Sequence, residues 1–199
     1  AVWMSGIIGK NSQAANQIAL NLASMTYMVA LGVGVAAMIR VGNQRGMMNF
    51  IKLREVALST LLLIIIVDIL FCFIFLIFND YLPLLYLDPN NANNLTDVNE
   101  VIQIASKLLI IAGVFQLFDG IQAVVLGALR GMQDVNIPAF IIFLSYGLIG
   151  FPTSYFLGFY TSLSVVGIWI GLMTGLFSSS LFLFLRFNYL SKKTIRLND

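Results

Sequence analysis

Five long apolar segments limit what this chain can fold into. Each has at least the roughly 20 residues that an α-helix needs to cross the hydrocarbon layer of a membrane. Only 10% of the residues are charged and 59% are hydrophobic, whereas about 25% of residues are charged in soluble domains. Helices are favoured over strands because the segments are too long for strands and do not strictly alternate, and only helices or closed barrels satisfy their backbone in lipid. The sequence therefore predicts an all-α, polytopic transmembrane helical bundle with spans at 13–39, 56–78, 101–129, 137–159 and 163–187.

The parts between and around the spans predict its orientation. Residues 1–9 are too short to cross a membrane, so we interpret them as the end of a truncated helix and the chain as a fragment. Residues 79–100 form an acidic, asparagine-rich loop, which we place outside the cytoplasm, and 188–199 form a basic cytoplasmic tail. We expect a multi-pass protein of the inner, cytoplasmic membrane, in contact with the lipid bilayer. The basic residues that set this orientation are Arg40, Arg45, Lys52, Arg54, Arg130, Arg186, Lys192, Lys193 and Arg196.

The amino-acid composition argues against several kinds of function. The chain has one cysteine, Cys72, and no histidine, so an internal disulfide, a Ser-His-Asp triad and a histidine-ligated metal are excluded. Basic and aromatic residues are not interleaved as they are in nucleic-acid-binding surfaces. We therefore expect a protein that is not an enzyme, has no cofactor or metal, and does not bind nucleic acid.

Asp119 is the strongest candidate for a functional residue. It lies in the middle of the predicted 101–129 helix, with Phe115, Gln116 and Gln122 three or four residues away and thus on neighbouring positions of the helix surface. An aspartate at a membrane helix centre costs roughly 2.5–3.5 kcal/mol on insertion scales, so it needs a cavity, a partner or a proton. We interpret Asp119 as an ion or proton site; a hydrogen bond to a neighbouring helix is the alternative.

Two further sets of polar residues lie within the spans. Asp68 is a possible second intramembrane acid, which either faces another helix or carries a proton. Gln17, Asn21 and Tyr27 follow one stripe of the 13–39 helix and are candidates for lining a substrate cavity together with Phe115, Gln116 and Gln122. Hydrogen bonding between helices explains the same stripe equally well.

Small residues predict where the helices pack closely. Glycines repeat every seven residues in the 101–129 helix and every four in the last helix, which places each set on one helix face and allows backbones to approach. Pro152 predicts a kink in the fourth span. The packing glycines are Gly113, Gly120, Gly127, Gly167, Gly171 and Gly175.

Four motifs together resemble one family of membrane proteins. They are ANQIALN at 15–21, IRVGN at 39–43 with Gly46, FQLFDGIQ at 115–122, and GALRG at 127–131 with Asp134 and Pro138. In this order, and over essentially the whole chain, they are similar to the multidrug and toxic compound extrusion (MATE, NorM-like) family.

The resemblance implies a twelve-helix antiporter made of two six-helix lobes. This chain then corresponds to the C-terminal lobe, and its partner is the N-terminal lobe of the same transporter. Asp119 matches the family's cation-coupling aspartate, and Tyr27 matches an aromatic residue that contacts organic cations. Phe115 departs from the pattern, because many relatives have tyrosine there. The family's glutamate in the seventh helix lies outside this sequence.

The resemblance implies export of organic cations or amphipathic drugs, driven by inward flow of a proton or sodium ion that competes for Asp119. A flippase of lipid-linked saccharides with the same fold is one alternative, although such a protein should carry deep basic residues for the phosphates. Lys107, which lies near a helix start, is a poor candidate for that role. A non-catalytic membrane subunit of a larger assembly is the other alternative.

Overall fold

The chain folds into a bundle of long helices, and no strand occurs in the part that the structure describes. The computed structural model describes residues 2–87 and 95–197. Five helical stretches are long and apolar enough to cross a membrane, which confirms the predicted fold class. The helices are α1 Val2–Ile8, α2 Lys10–Gly46, α3 Phe50–Ile77, α4 Leu95–Gly131, α5 Asn136–Leu144, α6 Phe151–Phe159 and α7 Ser164–Arg196.

The helices are longer than the apolar segments that predict them. α2 continues beyond residue 39 to Gly46, and α7 continues beyond residue 187 to Arg196. The hydrogen bonds of a helix are made by its backbone, so a helix can continue through polar residues once it leaves the lipid. Most of the predicted 188–199 tail is therefore helical. In the predicted 79–100 loop, a short 3-10 helix spans Leu82–Leu85 and α4 begins at Leu95, while residues 88–94 lie outside the described ones.

The fourth span is irregular. α5 and α6 are joined by a π-helical segment, Ser145–Gly150, and Pro152 follows within the first turn of α6. Proline has no backbone N–H and cannot make the regular helical hydrogen bond, so a wider turn before it is a common adjustment. The sequence predicts a kink at Pro152, and the structure has a π-helical segment just before this proline.

α4 is the central helix of the bundle and packs against α2, α3 and α7. Its buried face includes Leu108, Leu109, Val124 and Leu129, which are all excluded from solvent. α3 is an outer helix: it buries Ile64, Asp68 and Phe75 on one face. The opposite face of α3 exposes apolar side chains, as expected of a helix that contacts lipid: Leu62, Ile66, Leu70, Phe73 and Ile77.

Polar contacts tie the helices together at the basic end of the bundle. The Arg186 guanidinium pairs with the Asp134 carboxylate at 3.0 Å. Arg54 of α3 donates to Ser191 and to Asn188 of α7, both at 2.7 Å. These bonds fix the ends of α3 and α7 and the α4–α5 turn relative to one another.

Candidate functional site

Asp119 lines a cavity between α2, α4 and α7. The cavity has a volume of about 140 Å³, which corresponds to roughly four or five waters at about 30 Å³ each. Because α2, α4 and α7 each contribute part of the wall, the site is formed by the tertiary packing and not by one helix. Its lining consists of Leu20, Ala23, Ser24, Tyr27, Phe115, Asp119, Trp169 and Leu172.

Aromatic side chains form much of this wall. Phe115 and Trp169 meet edge to face, with ring centroids 5.6 Å apart. The Trp169 indole Nε1 donates a 2.9 Å hydrogen bond to Asn16 Oδ1, and both side chains are buried. This bond fixes the indole in one orientation. Aromatic faces attract cations through their quadrupole, so the cavity combines a carboxyl group with surfaces that suit an organic cation.

The Asp119 carboxyl has no cationic partner within the described chain, where the one salt bridge joins Asp134 and Arg186. It lies close enough to the Tyr27 and Tyr146 phenols to interact with them electrostatically. A carboxyl in an apolar bundle that is not neutralised by a fixed cation is available to a mobile one, or to a proton.

Tyr146 is a member of the site that sequence reasoning missed. It lies in the π-helical segment, and its hydroxyl is hydrogen-bonded to the side chain of Gln122, one turn after Asp119 on α4. Phe115 cannot supply a phenol to the site, but Tyr27 and Tyr146 do so from other helices. A tyrosine in an apolar span was a signal in the sequence, although the helix that it faces becomes known only from the packing. Trp169 was missed for the same reason.

The predicted cavity residues do not all meet at the cavity. Tyr27 and Phe115 line it with Asp119. Gln17 and Asn21 lie on the exposed face of α2, where Gln17 Nε2 donates to Asn21 Oδ1 at 3.2 Å. Because α2 turns its buried face toward α4 and α7 at these positions, the stripe that holds Gln17 and Asn21 points out of the lobe.

Gln116 also lies away from the cavity. It is 4% exposed, and its amide Nε2 approaches the backbone carbonyl of Asp68 at 3.5 Å. Gln116 precedes Asp119 by three residues on α4, and its side chain points toward α3. Asp68 itself is 1% exposed, and its Oδ2 has no hydrogen-bond partner. The two intramembrane acids therefore lie in different places, one beside an opening and one inside a helix contact.

The packing glycines lie where other helices approach closely. A Cβ added at Gly120 would lie 1.8 Å from Asp68 Oδ2, and one at Gly127 would lie 2.1 Å from the Gly34 carbonyl oxygen. Gly113 faces Cys72 and Phe75 of α3. The three glycines of α7, which are Gly167, Gly171 and Gly175, meet α6 and the π-helical segment at Leu157, Ser154 and Gly150.

The described residues include no group of three or more Asp, Glu, Cys or His side chains that could hold a metal ion. The site thus consists of one carboxyl, two phenols, an amide and aromatic walls. Together with the five apolar helices, it defines a multi-pass membrane protein with a small, mainly aromatic and apolar cavity that contains one carboxyl group.

Comparison with known proteins places this chain in a family. Residues 1–156 match the MatE family model, and the chain belongs to the MatE family. The probable multidrug resistance protein NorM of Agrobacterium fabrum strain C58 is 37% identical over 97% of this chain. The multidrug resistance protein NorM of Burkholderia vietnamiensis is 38% identical over 92% of it. The chain spans about two fifths of these relatives, 41% and 39% of their lengths.

Solved structures with this fold include transporters of the same family. The eukaryotic MATE transporter AtDTX14 superposes with a TM-score of 0.81 at 22% identity, over 100% of this chain and 44% of that one. A MATE protein in the bent conformation gives a TM-score of 0.83 at 16% identity, over 96% of this chain and 40% of that one. At these identities the likeness establishes the fold alone, which confirms the predicted architecture of the chain, whereas the MatE family model and the NorM relatives confirm the family.

Proposed function

We propose that the intact transporter exports organic cations or amphipathic drugs by alternating access, in exchange for a proton or a sodium ion that competes for Asp119. The observation that carries the proposal is the Asp119 carboxyl, which lines an aromatic cavity and has no cationic partner within the described chain. A proton, a sodium ion or a cationic drug can each neutralise this group in turn.

Three aromatic side chains support an organic cation as the cargo. Tyr27, Phe115 and Trp169 line the same cavity as the Asp119 carboxyl, and aromatic rings beside an acid suit a large, weakly hydrated cation. The cavity of about 140 Å³ accommodates a small ion or one group of a drug. We therefore propose that the rest of the drug contacts the N-terminal lobe, and that the exposed polar stripe with Gln17 and Asn21 faces that lobe.

The lining does not favour a lipid-linked saccharide. A flippase needs basic side chains to bind phosphates, and the described residues that line the cavity include no lysine or arginine. The orientation follows from the charges: we propose a cytoplasmic-membrane protein with Arg54, Asp134 and Arg186 at its cytoplasmic end.

Efflux of a fluorescent cationic dye from cells that produce the full-length transporter tests this proposal. Asp119→Asn keeps the size of the side chain and removes its charge, so we expect efflux to be lost while the amount of protein in the membrane is unchanged. Asp80→Asn makes the same chemical change at an exposed turn and should leave efflux intact. Efflux by Asp119→Asn at the wild-type rate would refute the role of Asp119.

Gradient experiments identify the coupling ion. Collapse of the proton gradient and of the sodium gradient, one at a time, should stop efflux in one case and spare it in the other. Efflux that continues without either gradient would refute antiport.

A further inference from the structure

The surroundings of Asp68 differ from those of every other acid that the structure describes. The side chain is 1% exposed, and no donor reaches its Oδ2. Beside the residues of α3 that precede Asp68, the neighbouring helices present apolar side chains. Ala30 and Val33 of α2 cluster with Ile64 and Val67, and Phe177 and Phe184 of α7 line a pocket with Leu61 and Ile65. The Asp68 carboxyl lies against Gly120 of α4, the residue that directly follows Asp119, so a negative charge on Asp119 acts on Asp68. An ionised Asp68 would have no opposite charge to stabilise it.

Gly120 makes the space that the Asp68 carboxyl occupies. A Cβ at Gly120 would lie 1.8 Å from Asp68 Oδ2 and 2.8 Å from Ile64 Cγ1. The absence of a side chain on α4 therefore allows the carboxyl to lie against the helix backbone. Because the contact is tight and the residue is buried, neither a drug nor a hydrated metal ion has room beside Asp68.

Two hydrogen-bond acceptors on the packed faces of α3 and α4 have no donor. They are Asp68 Oδ2 and Gln116 Oε1, and both are buried and unpaired. The amide Nε2 of the same Gln116 side chain approaches the Asp68 backbone carbonyl at 3.5 Å, so the two side chains are neighbours across α3 and α4. An ionised carboxylate only accepts hydrogen bonds, whereas a protonated one has an O–H donor. One proton on Asp68 therefore gives its buried carboxyl group a donor and removes a negative charge that has no partner.

We propose that Asp68 is a second proton site of the transporter, closed to drugs and metal ions, whose occupancy depends on the charge at Asp119. This inference rests on the proposed function, because it takes Asp119 to be the site that binds the mobile cation. While Asp119 is ionised, a second negative charge nearby is unfavourable and Asp68 keeps its proton. A cation bound at Asp119 removes this repulsion, and the Asp68 proton then leaves to solvent more easily. The coupling is reciprocal, so release of that proton strengthens cation binding at Asp119.

Infrared spectroscopy of the purified full-length transporter tests the first half of the proposal. A protonated carboxylic acid has a carbonyl stretch that an ionised carboxylate lacks. We expect the wild type and the exposed control Asp80→Asn to share a protonated-acid band at neutral pH that Asp68→Asn loses. In Asp119→Asn the band should disappear at a lower pH than in the wild type, because the repulsion from Asp119 is gone. Asp68→Leu removes the acid in a second way, should the amide variant be poorly folded. A band that persists unchanged in these variants would overturn the proposal.

Proton release upon binding of tetraphenylphosphonium, followed in weakly buffered solution across a pH series, tests the coupling. The wild type should show two titrating components of proton release. Asp68→Asn should lose one of them. At a pH at which Asp68 of the bound wild type keeps its proton, the two proteins should bind tetraphenylphosphonium within about twofold of one another; at higher pH the wild type should bind more tightly, because its Asp68 proton leaves. Identical proton release in the wild type and in Asp68→Asn would overturn the proposal.

Binding, export and proton release in Asp119→Asn and Asp68→Asn together distinguish failure of the proposed function from failure of the inference about Asp68. If Asp119→Asn binds and exports the cation as the wild type does, the proposed function fails. If Asp119→Asn loses binding but Asp68→Asn matches the wild type in every proton measurement, only the inference about Asp68 fails.

Discussion

The two carboxyl groups inside the apolar bundle have opposite surroundings. Asp119 lies at a cavity between α2, α4 and α7, whereas Asp68 is enclosed where α3 crosses α4. Both are aspartates in apolar helices, and a sequence-based insertion cost treats them alike. Access to the carboxyl group, and not its burial alone, therefore decides what such an acid can bind. A carboxyl at a cavity has room for a drug or an ion, whereas an enclosed one has room for a proton.

We expect the largest difference between substitutions of Asp119 and Asp68 in the affinity for a cation. We expect Asp119→Asn to weaken binding of a cationic dye to the purified full-length transporter by at least about 100-fold, since loss of one partner of a buried charge pair costs about 3–5 kcal/mol. Asp68→Asn should retain the wild-type affinity. Fluorescence polarisation measures both, and equal losses in the two variants would contradict the distinction.

Gly120→Ala should disturb the enclosed acid. Its new Cβ would overlap Asp68 Oδ2 and Ile64, and overpacking of this kind costs about 1–3 kcal/mol. We expect a lower thermal midpoint, measured by size-exclusion chromatography after heating. The matched control is Gly32→Ala, because a Cβ there meets nothing within 4 Å; that variant should be at least as stable as the wild type. A Gly120→Ala protein as stable as the Gly32→Ala protein would show that the α3–α4 contact is loose.

Trp169→Phe should alter the open site by a smaller amount. The change removes the indole N–H and leaves Asn16 Oδ1 without its donor, a loss of about 1–3 kcal/mol for a buried acceptor. We expect reduced thermal stability and dye binding several-fold weaker, since the aromatic wall loses its fixed orientation. A double-mutant cycle with Asn16→Leu isolates the hydrogen bond. Additive effects of the two substitutions would show that the pair does not act as a unit.

Tyr146→Phe should have the smallest effect. It removes one hydrogen bond, to Gln122, which is worth about 0.5–1.5 kcal/mol. Dye affinity should fall by about two- to tenfold if the phenol helps to order the polar side of the site. Tyr155→Phe, at an exposed position of α6, is the control and should bind as the wild type does. Equal affinities in the two variants would remove Tyr146 from the site.

The sequence predicts the spans and the principal acid because both follow from local properties. Apolar length identifies the membrane helices, and the cost of an unpaired carboxylate identifies Asp119. The orientation of side chains around the acid depends on where neighbouring helices pack. Gln116 and Phe115 lie one residue apart, yet Phe115 faces the cavity and Gln116 faces α3. No periodicity in one helix contains that information.

Tyr146 is a second residue whose orientation the sequence does not predict. Its contact with Gln122 depends on the π-helical segment, which changes the register of side chains before Pro152. The proline predicts an irregular helix, but not the direction in which the preceding residues turn. Gly120 is similar: its repeat predicts close packing, whereas its contact with the Asp68 carboxyl emerges only from the crossing of α3 and α4.

Thiol labelling tests the difference in access most directly. Asp119→Cys and Asp68→Cys are made in the full-length transporter, in a background from which Cys72 and any other cysteine have been removed, and are treated in membranes with a water-soluble cationic methanethiosulfonate reagent. We expect Asp119→Cys to react and Asp68→Cys not to react. Reaction of Asp68→Cys at the same rate as Asp119→Cys, or no reaction at position 119, would contradict this difference in access.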